Sequence, residues 1–274
     1  MSIPITPNLT VNDVADYWLH KLRADGRLES TTINEYQRVL RALVGPEVGS
    51  QRLDELTTEH VDELLAALGQ RSRNRQRKAK VVLGAMLDFA VNEGALERNP
   101  VRGSLSISRP ATSRPTLTAA QMARIHEAVR VSHRKPRSGP RSSEDMSDII
   151  EVMLGAGARI GEVLALRWSD IDLDTTTISI NATIKTPPGE GTYRKPLSQP
   201  RLVALPEYTA LLLGRRRRVT PDSLLDAVFP TRNETWQQVN NVERRWRQIR
   251  REAGLEWITP DMFRRAVTDL PEPF

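Results

Sequence analysis

Between Ile107 and Pro115 the chain reads Ile-Ser-Arg-Pro-Ala-Thr-Ser-Arg-Pro, with two prolines, two serines and no apolar periodicity. Proline lacks the amide N–H and fixes its own φ, so this stretch neither continues a helix nor joins a ladder. It cuts the 274 residues into two parts, each of which must bury a core of its own. Hydrophobic residues make up 39% of the chain, enough for two cores of ordinary domain size and too many for a disordered polymer. The sequence therefore predicts a leader over 1–9, a first domain over 10–106, a linker over 107–116 and a second domain over 117–274.

The first domain reads as four helices. Thr10 caps a helix from Val11 to about Ala24, in which Val14, Trp18 and Leu22 recur on one face. Thr31 or Thr32 opens a second helix to about Val44, striped by Ile33, Tyr36, Leu40 and Leu43 and stopped at Gly45-Pro46. A third starts near Thr58, with Glu59 in its first turn, carries Val61, Leu64, Leu65 and Leu68, and stops at Gly69. The fourth runs from about Ser72 to Glu93, and its apolar residues gather in its second half, from Val81 to Ala90. Short connections make these antiparallel neighbours.

The second domain mixes periods. Thr118 starts a helix, and a polar, basic loop follows over 132–144. Ile149, Ile150, Met153 and Leu154 mark a buried helix broken at Gly155 and Gly157, before another helix with Val163, Leu164 and Leu166. Ile178, Ile180, Ala182 and Ile184 alternate with polar residues, as in a half-buried strand. A Pro- and Gly-rich loop over 185–200 leads to a returning strand from Arg201, and Pro206 takes the first position of a helix through Leu213. A helix from about Thr235 to Ala253 sets Val239, Val242, Trp246 and Ile249 on one face and crowds arginines on the rest. Thr259-Pro260 opens a last helix with Asp261 in its first turn. The fold class is mainly α with a small antiparallel β-sheet.

The chain carries 40 basic and 34 acidic groups, net +6, and only six of the basic groups are lysine. The arginine fork pairs bidentately with phosphate and with guanine edges. Six cations, Arg71, Arg73, Arg75, Arg77, Lys78 and Lys80, stand within ten residues at the start of the fourth helix. A solvated face and a polyanion site both account for such a run. No carboxylate stands one helical turn on until Asp88, and that lack of neutralisation favours contact with a DNA backbone. The absence of cysteine excludes disulfides, thiolate metal sites and a cysteine nucleophile, and fits a reducing cytoplasm. No apolar run is long enough to span a membrane, and the start shows no signal peptide.

The core Gly157-Ala158-Arg159-Ile160-Gly161-Glu162 resembles the first arginine motif of the tyrosine recombinases, the phage-integrase family. A hairpin with a lysine and then Thr259-Pro260-Asp261-Met262-Phe263-Arg264-Arg265 follow in that family's order. The upstream helical unit is similar to its core-type DNA-binding domain. The resemblance covers nearly the whole chain from about residue 10. It implies an N-terminal four-helix, SAM-like core-binding domain followed by an integrase-type α+β catalytic domain. It also implies a chemistry in which a tyrosine hydroxyl attacks a DNA phosphodiester, forms a 3′-phosphotyrosyl link and releases a 5′-hydroxyl. By the same resemblance Arg159 and Arg264 clamp the non-bridging oxygens and Lys195, or its rival Lys185, protonates the leaving oxygen. Glu162 supports Arg159, and Phe263 packs inward. Double-stranded DNA is the implied partner, with a homo-oligomer assembled on it in a bacterial host cytoplasm, and neither metal nor cofactor is required.

Two positions depart from the family pattern. Asp261 stands where the family has a histidine, three residues before the second arginine, and a carboxylate there repels phosphate while favouring its helix start. Only ten residues follow Arg264, and the four tyrosines, Tyr17, Tyr36, Tyr193 and Tyr208, lie elsewhere. The expectation is a member lacking the C-terminal end of its catalytic domain and the nucleophile with it, inactive as this chain. A prophage remnant and a natural short form both fit. The alternative is a catalytically dead DNA-binding protein that occupies recombination sites.

Overall fold

The computed structural model describes residues 6–107, 117–134, 145–187, 189–220 and 223–266. It divides the chain into two compact units, Met1–Ala111 and Thr112–Phe274. Of the expected linker over 107–116, residues 108–116 lie outside the described residues; of the loop expected over 132–144, residues 132–134 are helical and 135–144 lie outside the described residues.

The N-terminal unit is helical: α1 (Val11–Asp25), α2 (Ser30–Val39), α3 (Gly45–Val48), α4 (Thr58–Arg71), α5 (Arg73–Asn92) and α6 (Pro100–Gly103). Thr10 and Asp13 form a reciprocal capping box at the start of α1, and Gly26, at φ +65°, closes its end. Leu9, expected in a loose leader, instead packs against the core and accepts a hydrogen bond from the Leu53 N–H at 2.9 Å. Gly45-Pro46 does not stop the second helix. The chain runs on through one wide turn, Leu40–Val44, into α3, because Pro46 falls in a first turn that needs no N–H from it. Gly69 likewise sits inside α4, and the break comes at Ser72, whose extended backbone separates α4 from α5. The core gathers Val14, Trp18, Leu19, Leu53, Leu83, Met86 and Leu87. Tyr36 stacks on Trp18 with ring centres 5.4 Å apart, and Tyr17 stacks on Phe89 at 6.1 Å. The short α6 shows no periodicity in the sequence. Asn99 holds it, accepting from the Val101 N–H and donating to the Gly84 carbonyl and the Asp88 carboxylate.

The second unit contains α7 (Ala119–Arg134), α8 (Asp145–Ala156), α9 (Ile160–Val163), β1 (Ile171–Asp172), β2 (Thr177–Lys185), β3 (Tyr193–Ala204), α10 (Glu207–Val219), α11 (Val239–Glu252) and α12 (Pro260–Ala266). The strands form one antiparallel sheet in the order β1-β2-β3. Along β2 the even-numbered residues are buried and the odd-numbered ones half-exposed, the period-two pattern of a sheet with one covered face. The loop expected over 185–200 is much shorter. Lys185 already pairs with Tyr193, and the Thr186 and Thr192 hydroxyls meet at 3.1 Å beneath the tip. The helix expected after Gly157 is a single turn, α9. Pro206 is the cap of α10 rather than its first residue, and α10 runs on to Val219. The core joins Ile125, Met146, Ile149 and Ile150 to Phe229, Trp246 and Phe263. Arg216 is its polar staple: nearly buried, it reaches Asp145 at 2.6 Å and Asp148 at 2.7 Å on α8, donates to the Val228 carbonyl and lies over the Phe229 ring. No helix among the described residues is long and apolar enough to cross a membrane.

Candidate functional site

The site begins where α8 ends. Gly157, at φ +57°, turns the chain in a conformation that a side chain would strain. Ala158 is buried, and Arg159 follows in extended backbone as the cap of α9. The Glu162 side chain closes that turn from below. One carboxylate oxygen accepts from the Arg159 backbone N–H at 3.0 Å and from the Arg201 guanidinium at 2.7 Å; the other accepts from the Arg159 guanidinium at 3.0 Å. Glu162 is 3% exposed, whereas the Arg159 side chain is 64% exposed. A carboxylate so deeply covered is tolerable only when paired and hydrogen-bonded. Burial pushes the Glu162 carboxyl up, but the bonds from Arg201 and from the Arg159 backbone and guanidinium, with the attraction of Arg201, outweigh it and hold the group below its ordinary range. Glu162 thus stays charged and fixes the root of Arg159, while most of the guanidinium faces solvent as a donor array suited to an anion.

The hairpin lies directly against this turn. A Cβ on Gly161 would fall 2.7 Å from the Thr183 hydroxyl, so only glycine lets α9 approach β2 so closely. Thr183 pairs with Lys195 and Lys185 with Tyr193, which places all four on the half-exposed face of the hairpin. Lys195 is thus the cross-strand neighbour of the residue that touches α9, and Lys185 stands two residues nearer the tip. Arg201, paired with Ile180, stands on the opposite, covered face, where it meets Glu162. Arg194 shares that inner face and ties the hairpin to the Ala165 carbonyl and to Asp170.

The remaining pair lies on α12, which packs against α8. Phe263 is buried edge-on to Trp246, ring centres 5.4 Å apart. Arg264, about one-third exposed, donates from Nε to Asp261 at 3.4 Å. The described contacts join Arg159, Glu162 and Arg201 in one cluster and Asp261 with Arg264 in another.

Both units match known family profiles. The profile described as phage integrase central domain covers residues 11–104, and that described as phage integrase family covers 115–272. The chain belongs to the phage integrase family. The tyrosine recombinase XerC of Alcanivorax borkumensis is 25% identical over 90% of this chain and 76% of its own length. The XerC of Xanthomonas campestris pv. campestris is 22% identical over 93% of this chain and 74% of its own. Among solved structures, the Tn1549 transposon integrase in complex with circular intermediate DNA superposes with a TM-score of 0.74 at 18% identity, covering 94% of this chain and 85% of that one. A lambda integrase dimer bound to a COC′ core site gives 0.70 at 16% identity over 94% and 88%. These likenesses carry the fold, a helical core-binding unit and an α+β unit with a small sheet.

Of the four tyrosines, Tyr193 is the one paired with a candidate site residue among the described residues. Tyr17 and Tyr36 are stacked in the N-terminal unit. Tyr193 is exposed opposite Lys185, and Tyr208 stands half-buried on α10, where burial raises its phenol above its ordinary value. The basic run divides as well. Arg71, Arg73, Arg75 and Arg77 are exposed, and no hydrogen bond or ion pair among the described residues engages them. Lys78, by contrast, pairs with Glu35 of α2 at 2.6 Å, and Lys80 donates to the Leu105 carbonyl at 2.7 Å. The expectation that the whole run lacks partners therefore fails for these two, because their partners come from other segments and not from one turn along the helix. In the sequence Arg201 shows only as the first residue of a strand. Its role in the cluster is hidden in the sequence because a register irregularity between Ile180 and Ala182 decides which face it takes.

Proposed function

We propose that this integrase is a site-specific recombinase of phage or prophage type that binds duplex DNA and grips one phosphodiester with the cluster at the start of α9. The observation that carries this reading is the exposed Arg159 guanidinium, rooted by a buried, charged Glu162. During transfer, negative charge spreads over the non-bridging phosphate oxygens, and a guanidinium fixed in advance stabilises that charge without reorganising. Arg159 serves as one clamp and Arg264 as the second. Lys195 is the acid for the leaving 5′ oxygen, with Lys185 the other candidate on the same hairpin face. Asp261 orients Arg264 through its hydrogen bond. Arg71, Arg73, Arg75 and Arg77 track the DNA backbone from the N-terminal unit.

A second reading concerns the nucleophile. Two of the four tyrosines are stacked in the N-terminal unit, one sits on the hairpin, and one is half-buried on α10 with a raised pKa. This supports a chain that occupies recombination sites without itself forming the phosphotyrosyl link. A nicked suicide duplex drawn from the flanks of the gene tests both readings on a denaturing gel. DNA retention without a covalent adduct is the expected result. An adduct mapped to Tyr193 or Tyr208 would overturn the inactive reading, and a folded chain that binds no duplex in the pool would overturn the recombinase reading.

A further inference from the structure

The one group in the cluster that the integrase chemistry has not used is Arg201. It comes from β3, far along the chain from the α9 turn, yet it makes the shortest bond to Glu162, at 2.7 Å. It shares one oxygen, Oε2, with the backbone N–H of Arg159, while the Arg159 guanidinium takes Oε1. Without Arg201 the nearly inaccessible Glu162 would keep the exposed Arg159 as its only cationic partner among the described residues. That arrangement favours either protonation of the carboxyl or a drift of the arginine towards water. Arg201 is held on the covered face of the hairpin by its pairing with Ile180, so its approach is set by the sheet and not by a flexible loop.

We propose that Arg201 is a positioning residue of the phosphate site: through Glu162 it locks Arg159 in the pose that receives a DNA phosphate. Arg201 does not itself touch the phosphate. The hairpin that carries the candidate lysines thus also sets the clamp arginine, so that strand register couples the two halves of the site. This inference rests on Arg159 being a phosphate ligand.

A double-mutant cycle tests it, with affinity for the duplex pool measured over a range of salt concentrations for the full chain, Arg159→Ala, Arg201→Met and the double variant. Arg159→Ala and Arg201→Met are each expected to lose about tenfold in affinity and about one phosphate contact from the salt slope, with no further loss in the double variant. Multiplying losses would place Arg201 on the DNA independently of Arg159 and overturn the proposal, as would full affinity in Arg201→Met. The Glu162 carboxyl, followed by carbon NMR, is expected to titrate at a higher pH in Arg201→Met; an unmoved titration also overturns it. If Arg159→Ala binds like the parent, the phosphate-ligand reading falls and this inference with it, whereas a loss in Arg159→Ala alone defeats only the role of Arg201. If Arg201→Met does not fold, Arg201→Lys replaces it in the cycle, with a smaller loss and the same lack of additivity expected.

Discussion

Single ionisable groups in the second unit make opposite demands on pH. Glu162 is held below the ordinary carboxylate range, so its contribution to stability is complete above that range and is lost as pH falls through the folded value. His126 runs the other way. Its Nε2 lies 2.5 Å from Glu151 of α8, and the hydrogen bond to Glu151 raises its pKa above the ordinary 6.5 against the opposing pull of partial burial. The stabilisation is therefore whole below 6.5 and disappears as pH rises through the raised value. Denaturant midpoints followed across this window are expected to decline on the alkaline side in the parent and to flatten there in His126→Gln. A parent whose midpoint climbs with pH through that range would contradict the ion pair.

At the scale of elements, the second unit depends on places where backbones or charges come unusually close. Gly155 faces Thr209 of α10 so tightly that a Cβ would fall 2.2 Å from the hydroxyl, and Arg216 bridges from α10 to two aspartates at the start of α8. Truncating Arg216 to Ala strands a buried Asp145 beside Asp148 and is expected to cost roughly 3–5 kcal/mol. Arg216→Met, together with Asp145→Asn and Asp148→Asn, should recover much of that loss, as read from urea unfolding. Equal stability of Arg216→Ala and the parent would mean the staple contributes nothing net. These same features mark the limit of what the chain announces in advance. The helices with a clean apolar stripe, α1, α4, α5 and α11, are legible from periodicity, α1 also from its Thr10 cap, and so is β2 from its alternation. The reach of β3, the wide turn joining α2 to α3, and the short α6 are not, because cross-strand pairing and the Asn99 bonds, rather than local pattern, decide them. In the candidate site, Arg159 and Glu162 are legible as neighbours three residues apart, but Arg201 joins them only through strand register.

On the scale of the whole molecule, the proposed DNA contacts draw on cations of two separately cored units, and within the N-terminal unit those cations are not equivalent. Lys78 is bound to Glu35 and so joins α5 to α2; Lys80 anchors the segment after α6. Neutralising them is expected to loosen the N-terminal unit and to leave DNA affinity little changed. Arg73, Arg75 and Arg77 are exposed and make no such internal bonds among the described residues, so neutralising them is expected to leave the fold intact and, if they track the DNA backbone as proposed, to remove counterion release. The triple Arg→Gln variant is expected to lower the slope of log affinity against log salt by up to about 3 while leaving the unfolding midpoint within error. Lys78→Gln is expected to do the reverse, lowering the unfolding free energy by a few tenths to about 1 kcal/mol, as for a part-exposed pair, with the slope little changed. Fluorescence anisotropy over a salt series, paired with urea unfolding of each variant, separates the two roles. An unchanged slope in the triple variant would remove the start of α5 from the DNA interface and leave binding to the second unit.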